Sequence, residues 1–166
     1  MANKFYYTKT KKLPKLKKII LNFGCKNNDI KSLTSSLLAL ELITHQKGNL
    51  TTTKYSNVLL KIRKGNTVGC KITLRKNKMF YYFEKMLIEI FPKLKNFEGF
   101  KSNKKMQKKA FSYELYDTFS FSELEENYHL FNNLPKLDIT IVISNKTKLE
   151  LLFLLTSLQF PIKTQI

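Results

Sequence analysis

Residues 61–75 read KIRKGNTVGCKITLR, and the alternation within this stretch decides the fold. From Thr67 onward Val68, Cys70, Ile72 and Leu74 are apolar, whereas Gly69, Lys71, Thr73 and Arg75 are small, polar or cationic. A period of two belongs to a β-strand with one buried face. The preceding run keeps the same parity, setting Val58, Leu60 and Ile62 against Asn57, Lys61 and Arg63. Between the two runs stand Lys64, Gly65 and Asn66, and Gly and Asn tolerate the positive φ of a tight turn. The stretch predicts a hairpin whose polar face is basic, since no Asp or Glu occurs anywhere in residues 54–78.

The same reasoning extends in both directions. Over residues 17–23, Ile19, Leu21 and Phe23 alternate with Lys18, Ile20 and Asn22, which predicts a strand ending at Gly24. Asp29 is placed to cap a helix carrying Leu33, Leu37, Leu40 and Ile43 or Thr44, with Gly48 as its stop. Met79, Phe80, Phe83, Leu87, Ile90 and Phe91 form an amphipathic stripe that reads as core, on a helix ending near Pro92. Residues 97–109 read as a basic loop and residues 110–121 as strand-like. Ser122 and Glu125 stand at capping-box spacing, as do Thr147 and Glu150 ahead of Leu149, Leu152, Phe153, Leu155 and Thr156. Residues 137–143 predict a central strand, Ile139, Ile141 and Ile143 facing one way and Asp138, Thr140 and Val142 the other. The expected fold is α+β, a mostly antiparallel sheet with helices packed on one face and an open basic face toward RNA. A basic N-terminal arm over residues 1–15 and a single domain over residues 16–166 complete the expected organisation.

With 166 residues, 43% of them apolar, one domain can bury about two-thirds of its unfolded surface. The formal charge of +18, from 30 Lys and Arg against 12 Asp and Glu, exceeds what solubility needs and points to nucleic acid. Seven Lys in residues 4–18, eight Lys or Arg in residues 54–78 and five Lys in residues 101–109 account for all of it, and none of these segments holds an acid. Residues 114–138 are the reverse, with Glu114, Asp117, Glu123, Glu125, Glu126 and Asp138 against Lys136 alone. That segment repels phosphate and should face solvent or a basic protein. A membrane partner is not expected, because no apolar run approaches the eighteen or so residues of a spanning helix; LLFLL at 151–155 is bounded by Glu150 and Thr156. The first residues, MANKFYYTKTKK, have neither an apolar signal core nor transit-peptide character, so the protein is expected to work where it is made. Lys outnumbers Arg 28 to 2, although Arg suits phosphate recognition better; codons rich in adenine and thymine, as in an organelle or reduced bacterial genome, produce that bias.

Enzyme chemistry has no visible residues. There is no glycine-rich phosphate loop, HExxH, GxSxG or CxxC, and the Gly65 to Gly69 run lacks a following Gly-Lys-Ser/Thr. Cys25 and Cys70, with only His45 and His129 to help, read as buried reduced thiols rather than metal ligands. Glu123, Glu125 and Glu126 suit a helix N-terminus better than a metal-dependent nuclease. No catalytic residue, metal or cofactor is expected. On the hairpin face Lys61, Arg63, Lys71 and Arg75 are placed to neutralise phosphates, and Thr73 and Asn22 to bond ribose or base edges. A solvated sheet face, an organelle intron-encoded endonuclease or maturase fragment, and a general polyanion or membrane-surface binder are the alternatives.

The residues also carry a resemblance. IILNFG at 19–24, Gln46-Lys47, the KxRxGxxxGCKxTLR spacing of 61–75 followed by Met79, Phe91-Pro92, NFEGF at 96–100 and LDITI at 137–141 resemble the large-subunit ribosomal protein five family, in its mitochondrial type, over roughly residues 16–162. That resemblance implies a structural ribosomal protein that holds 5S ribosomal RNA, with other large-subunit ribosomal RNA, in the central protuberance. It implies RNA contacts at Asn22, Gln46, Thr73 and Arg75, and the basic positions Lys18, Lys47, Lys54, Lys61, Arg63, Lys64 and Lys71 complete the expected RNA-binding set. It also implies a loop over about residues 54–63 directed at P-site transfer RNA, and neighbours among central-protuberance proteins and the small-subunit head. The implied location is a mitochondrial ribosome, with plastid or bacterial cytoplasm as alternatives. The sequence departs from the family in four places. A Lys-rich arm replaces the helix before the first strand, Gly24-Cys25-Lys26 replaces a Gly-Val-Gly turn, Leu59 replaces a usual Gly, and residues 103–113 lack the family's loop glycines.

Overall fold

The computed structural model describes residues 7, 13–25, 30–59, 62–95, 97–101, 107, 109–145 and 147–163. In chain order these form β1 (Lys15–Gly24), α1 (Ile30–Thr44), β2 (Asn49–Thr52), β3 (Thr67–Leu74), α2 (Lys76–Lys85), a π-helical turn (Met86–Ile90), α3 (Phe91–Lys93), β4 (Phe100–Lys101) and β5 (Ala110–Leu115). A 3-10 turn (Thr118–Ser120), α4 (Ser122–Glu125), α5 (Tyr128–Phe131), β6 (Leu137–Ser144), α6 (Lys148–Ser157) and β7 (Ile162–Lys163) follow. The fold is α+β, as the alternating patterns predict: a five-stranded antiparallel sheet in the order β2-β3-β1-β6-β5, several helices, and a small parallel pair of β4 with β7. By its contacts the chain divides into two compact units, Ile20–Leu74 with Glu114–Ile139, and Met1–Ile19 with Arg75–Tyr113 and Thr140–Ile166.

In the first of these units the strand parities hold. Leu21 and Phe23 of β1, and Cys70, Ile72 and Leu74 of β3, are at most 1% exposed, while Asn22 and Lys71 point the other way. Each such side chain removed from water contributes about 2 kcal/mol. α1 packs against β3, α4 and α5, turning Ala39, Leu40 and Ile43 inward. The expected cap Asp29 lies outside the described residues. The helix ends at Thr44, because His45 adopts a left-handed φ of 49°, and does not continue to Gly48. Gly48 lies in the turn beyond it: its N–H donates to the Glu41 carboxylate at 3.0 Å, and a Cβ there would meet only the end of the Leu37 side chain, at 2.6 Å.

The expected hairpin is corrected in its first strand. β3 pairs antiparallel with β2, Asn49 opposite Lys71 and Leu50 opposite Cys70. Among the described residues of 57–63 one isolated bridge forms, Asn57 to Ile62. The alternation of Val58 and Ile62 is real, but a short run cannot become a strand without a long partner to satisfy its backbone, and β1 and β2 already occupy both sides of β3. Gly65, at φ 89°, does turn the chain where the sequence places a turn.

The second unit is built on aromatic rings. Phe100 meets Phe91, Phe97, Phe111, Tyr113 and Phe160 at centroid distances of 4.6–5.5 Å, mostly edge-on or tilted as ring quadrupoles prefer. The Tyr113 hydroxyl donates to Met86 Sδ at 2.8 Å. Burial, with Tyr82 nearby, holds that hydroxyl protonated far above its usual range. Thr147 caps α6 as its spacing predicts, its hydroxyl accepting from the Glu150 N–H at 3.3 Å. The other predicted capping box, in the first unit, is displaced. Ser122 stands inside α4, whose N-cap position is Phe121 with no side-chain cap; the capping side chain nearby is Asp117, which starts the preceding 3-10 turn, its carboxylate accepting from the Phe119 N–H at 3.1 Å.

The apolar stripe on α2 also needs correction. Met79, Tyr82, Phe83, Met86, Ile90 and Phe91 are buried, but Phe80 is 55% exposed. On one ideal helical wheel Phe80 and Phe91, eleven residues apart, project in nearly the same direction. The π turn between them takes up one extra residue and rotates the later part by about 100°, which brings Phe91 in and leaves Phe80 out. The helical path runs through Pro92 to Lys93, one residue beyond the expected end.

Candidate nucleic-acid interface

The interface starts from β3, the strand whose inward half is sealed by α1. Lys71 is exposed and Thr73 half-buried on its outward side, and Gly69 presses so close to β1 that an added Cβ would fall 2.3 Å from the Phe23 carbonyl oxygen. Asn22 is half-buried on the outward side of β1, and Asn49 stands across from Lys71. Gln46 is brought to the same place by the turn after α1: its amide Nε2 donates to the Thr73 carbonyl at 3.2 Å. Lys47, next along, is exposed. Asn49 was not legible as a site residue, because β2 was not read as a strand. The signal available was Thr51, Thr52 and Thr53, a β-branched run directly after Gly48 and Asn49.

The loop over residues 53–66 is closed at its base by Thr53 N–H to the Asn66 carbonyl at 2.9 Å, Gly65 N–H to the Thr53 carbonyl at 3.1 Å, and the Thr53 hydroxyl to the Arg63 carbonyl at 2.7 Å. Lys54, Arg63 and Lys64 are all exposed on it. Lys61 lies outside the described residues. At the tip Tyr55, Val58 and Leu59 are 83%, 90% and 94% exposed.

On the same unit's outward sheet side, charge is not uniform. Asp138 of β6 and Glu114 of β5 face outward with Lys71, so the cations belong to the β3 side. Glu114 is engaged: its carboxylate accepts from Tyr116 at 2.7 Å and sits 3.0 Å from Lys136 Nζ. That carboxylate raises the pKa of both partners, chiefly through the hydrogen bond. Cys25 and Cys70 are buried free thiols, with Cys25 Sγ 3.7 Å from the Ser36 hydroxyl. Burial and the neighbouring Cys25 push Cys70 up to about 12 against a smaller opposing hydrogen bond from Phe23, so the reactive thiolate does not form near neutral pH. Among the described residues no three His, Cys, Asp or Glu gather as a metal site requires.

Two of the predicted residues belong to the other unit. Lys18 is half-buried on the outward side of β1, and Arg75 is exposed and extended just before α2, with no side-chain cap at that helix start. Lys76 follows in a left-handed conformation at φ 52°, a placement that is uncommon for a side chain other than Gly, Asn or Asp.

Comparison with known proteins converges on one family. The model of the ribosomal L5 family C-terminus matches residues 67–162. The large ribosomal subunit protein uL5m of Reclinomonas americana is 39% identical over 166 residues, covering 98% of this chain and 90% of that protein. The large ribosomal subunit protein uL5 of Wolbachia pipientis subsp. Culex pipiens (strain wPip) is 35% identical over 163 residues, covering 97% of this chain and 90% of that protein. With one sheet side turned to α1 and the other carrying exposed Lys71 and half-buried Asn22, the chain belongs to the L5 family of large-subunit ribosomal proteins, structural constituents of the ribosome rather than enzymes.

Proposed function

We propose that this chain seats 5S ribosomal RNA on the outward side of its sheet, in the central protuberance of a mitochondrial large ribosomal subunit. The observation that carries this reading is the outward row on β3, where Lys71 and Thr73 lie beside Gln46 and opposite the buried Cys70, Ile72 and Leu74. A flat strand face with cations and short hydrogen-bonding side chains suits RNA, which presents phosphates and 2′-hydroxyls across a shallow minor groove. In this reading Lys18, Lys71 and Arg75 neutralise phosphates, and Asn22, Gln46 and Thr73 meet ribose or base edges. Lys47, Lys54, Lys61, Arg63 and Lys64 carry the positive potential outward along the loop of residues 53–66. That loop, with its exposed apolar tip, reaches toward P-site transfer RNA. The acidic segment around Asp117, Glu125 and Glu126 avoids RNA and meets a basic neighbour in the protuberance or the small-subunit head. The relative named uL5m and the excess of Lys over Arg, 28 to 2, both support the mitochondrial location.

Filter binding of the whole chain to 5S RNA and to an unrelated structured RNA of equal length, across a salt series, tests this. The 5S RNA is expected to bind more tightly, and Arg75→Ala to weaken it about tenfold while Lys148→Ala leaves it unchanged. Lys71→Ala should flatten the salt dependence by about 0.9 in slope. Equal affinity for the two RNAs at every salt concentration sinks the reading.

A further inference from the structure

Residues 54–83 contain no acid, so the run of cations continues in the sequence past the end of β3. Along α2 the first side chains are turned almost entirely to water. Arg75, Lys76, Asn77 and Lys78 are exposed, Met79 alone turns inward, and Phe80 and Tyr81 are exposed again, at 55% and 62%. Two adjacent large rings left in water are costly for a helix that elsewhere in the same stretch buries Tyr82 and Phe83 to 2% and 6% exposure. They lie outside the row of Met79, Tyr82, Phe83 and Met86 that turns inward, and they stand out about 100° apart, each with its own accessible face.

We infer that the first two turns of α2 are a stacking surface for unpaired ribosomal RNA bases, distinct from the sheet face, with Phe80 and Tyr81 as the platforms and Lys76 and Lys78 bound to the connecting phosphates. The inference rests on the family membership for the identity of the nucleic acid, and not on where 5S RNA lies on the sheet. The chemistry selects the ligand. Lys78 precedes Tyr81 by three residues, a spacing that puts side chains side by side on a helix, and Lys76, left-handed at the start of α2, adds a second exposed cation to the same segment. The rings thus share one short exposed segment with two cations. A basic protein partner would be repelled here, and an aliphatic knob would answer the rings but not the cations. A single strand supplies both a π-face and a negative charge per nucleotide. The surface ends where its chemistry changes, at Glu84, one turn beyond the rings.

The test uses the whole chain and a ten-nucleotide oligo(A) RNA containing one 2-aminopurine, alone and annealed to its complement. Wild type is expected to bind the single strand more tightly than the duplex and to quench the 2-aminopurine, the signature of stacking. Phe80→Leu with Tyr81→Leu keeps the apolar character at exposed positions; it should lose about tenfold in single-strand affinity, lose the quenching and keep the salt slope. Lys76→Gln with Lys78→Gln should keep the quenching and reduce the slope by about 1.4. Wild-type affinity and quenching in the leucine variant overturn the inference, as does a wild type with no preference for the single strand. Tyr81→Leu alone repeats the test if the pair alters the thermal midpoint. The 5S preference, measured on the same proteins, separates the two readings. Its loss with quenching intact overturns the sheet assignment alone, and lost quenching with 5S preference intact overturns this one.

Discussion

β3 and the loop that precedes it are composed alike and end in opposite conditions. Both alternate apolar residues with Lys, Arg, Asn and Thr, yet Cys70, Ile72 and Leu74 are at most 1% exposed whereas Val58 and Leu59 are 90% and 94% exposed. What separates them is company. β3 has a strand on either side and α1 across its apolar face, while the described residues of 53–66 show one bridge and a hydrogen-bonded base. A period of two is an offer to form a strand, and it is accepted only where neighbours complete the backbone hydrogen bonds and cover one side.

The contrast is most sharply broken at Ile72. Ile72→Ala should cost about 3 kcal/mol in urea unfolding, because a methyl-lined hole under α1 cannot collapse; a cost below about 1 kcal/mol would mean that this side of β3 is not the core. Gly69→Ala should cost about 2 kcal/mol, its methyl driven against the Phe23 carbonyl. The same experiment reads it, and an unchanged midpoint would show that β1 and β3 are not held at that distance. At the other end of the scale, Leu59→Ala should change stability by no more than about 0.5 kcal/mol. A loss comparable with that of Ile72→Ala would place Leu59 in a core and remove the distinction.

Most strands were readable because each carries an inward row whose parity survives intact. Ile139, Ile141 and Ile143 of β6, like Ile19, Leu21 and Phe23 of β1, are at most 1% exposed, in agreement with their alternation. β2 was unreadable because four residues with Leu50 exposed at 48% bury too little to leave a pattern; its strand character comes from pairing with β3. That omission hid Asn49 among the candidate contacts. Gln46 was named through resemblance to a family, and its hydrogen bond to Thr73 depends on where α1 stops, which the left-handed His45 settles and no propensity foretells. Phe80 was misplaced for a different reason. A wheel of constant pitch groups it with Phe91, and the pitch of this helix changes at Met86.

That change of pitch has a consequence for how this helix accepts variation. Met86–Ile90 works as an absorbed insertion, so the segments on either side answer to separate rules of tolerance: polar replacements should be accepted at Phe80 and refused at Phe91, although one periodic profile would grade them alike. Aligned sequences with one residue fewer across the π turn would need no other adjustment on the amino-terminal side. Their exposed surface ahead of Met86, Phe80 and Tyr81 included, would stay where it is while the aromatic cluster beyond was rebuilt.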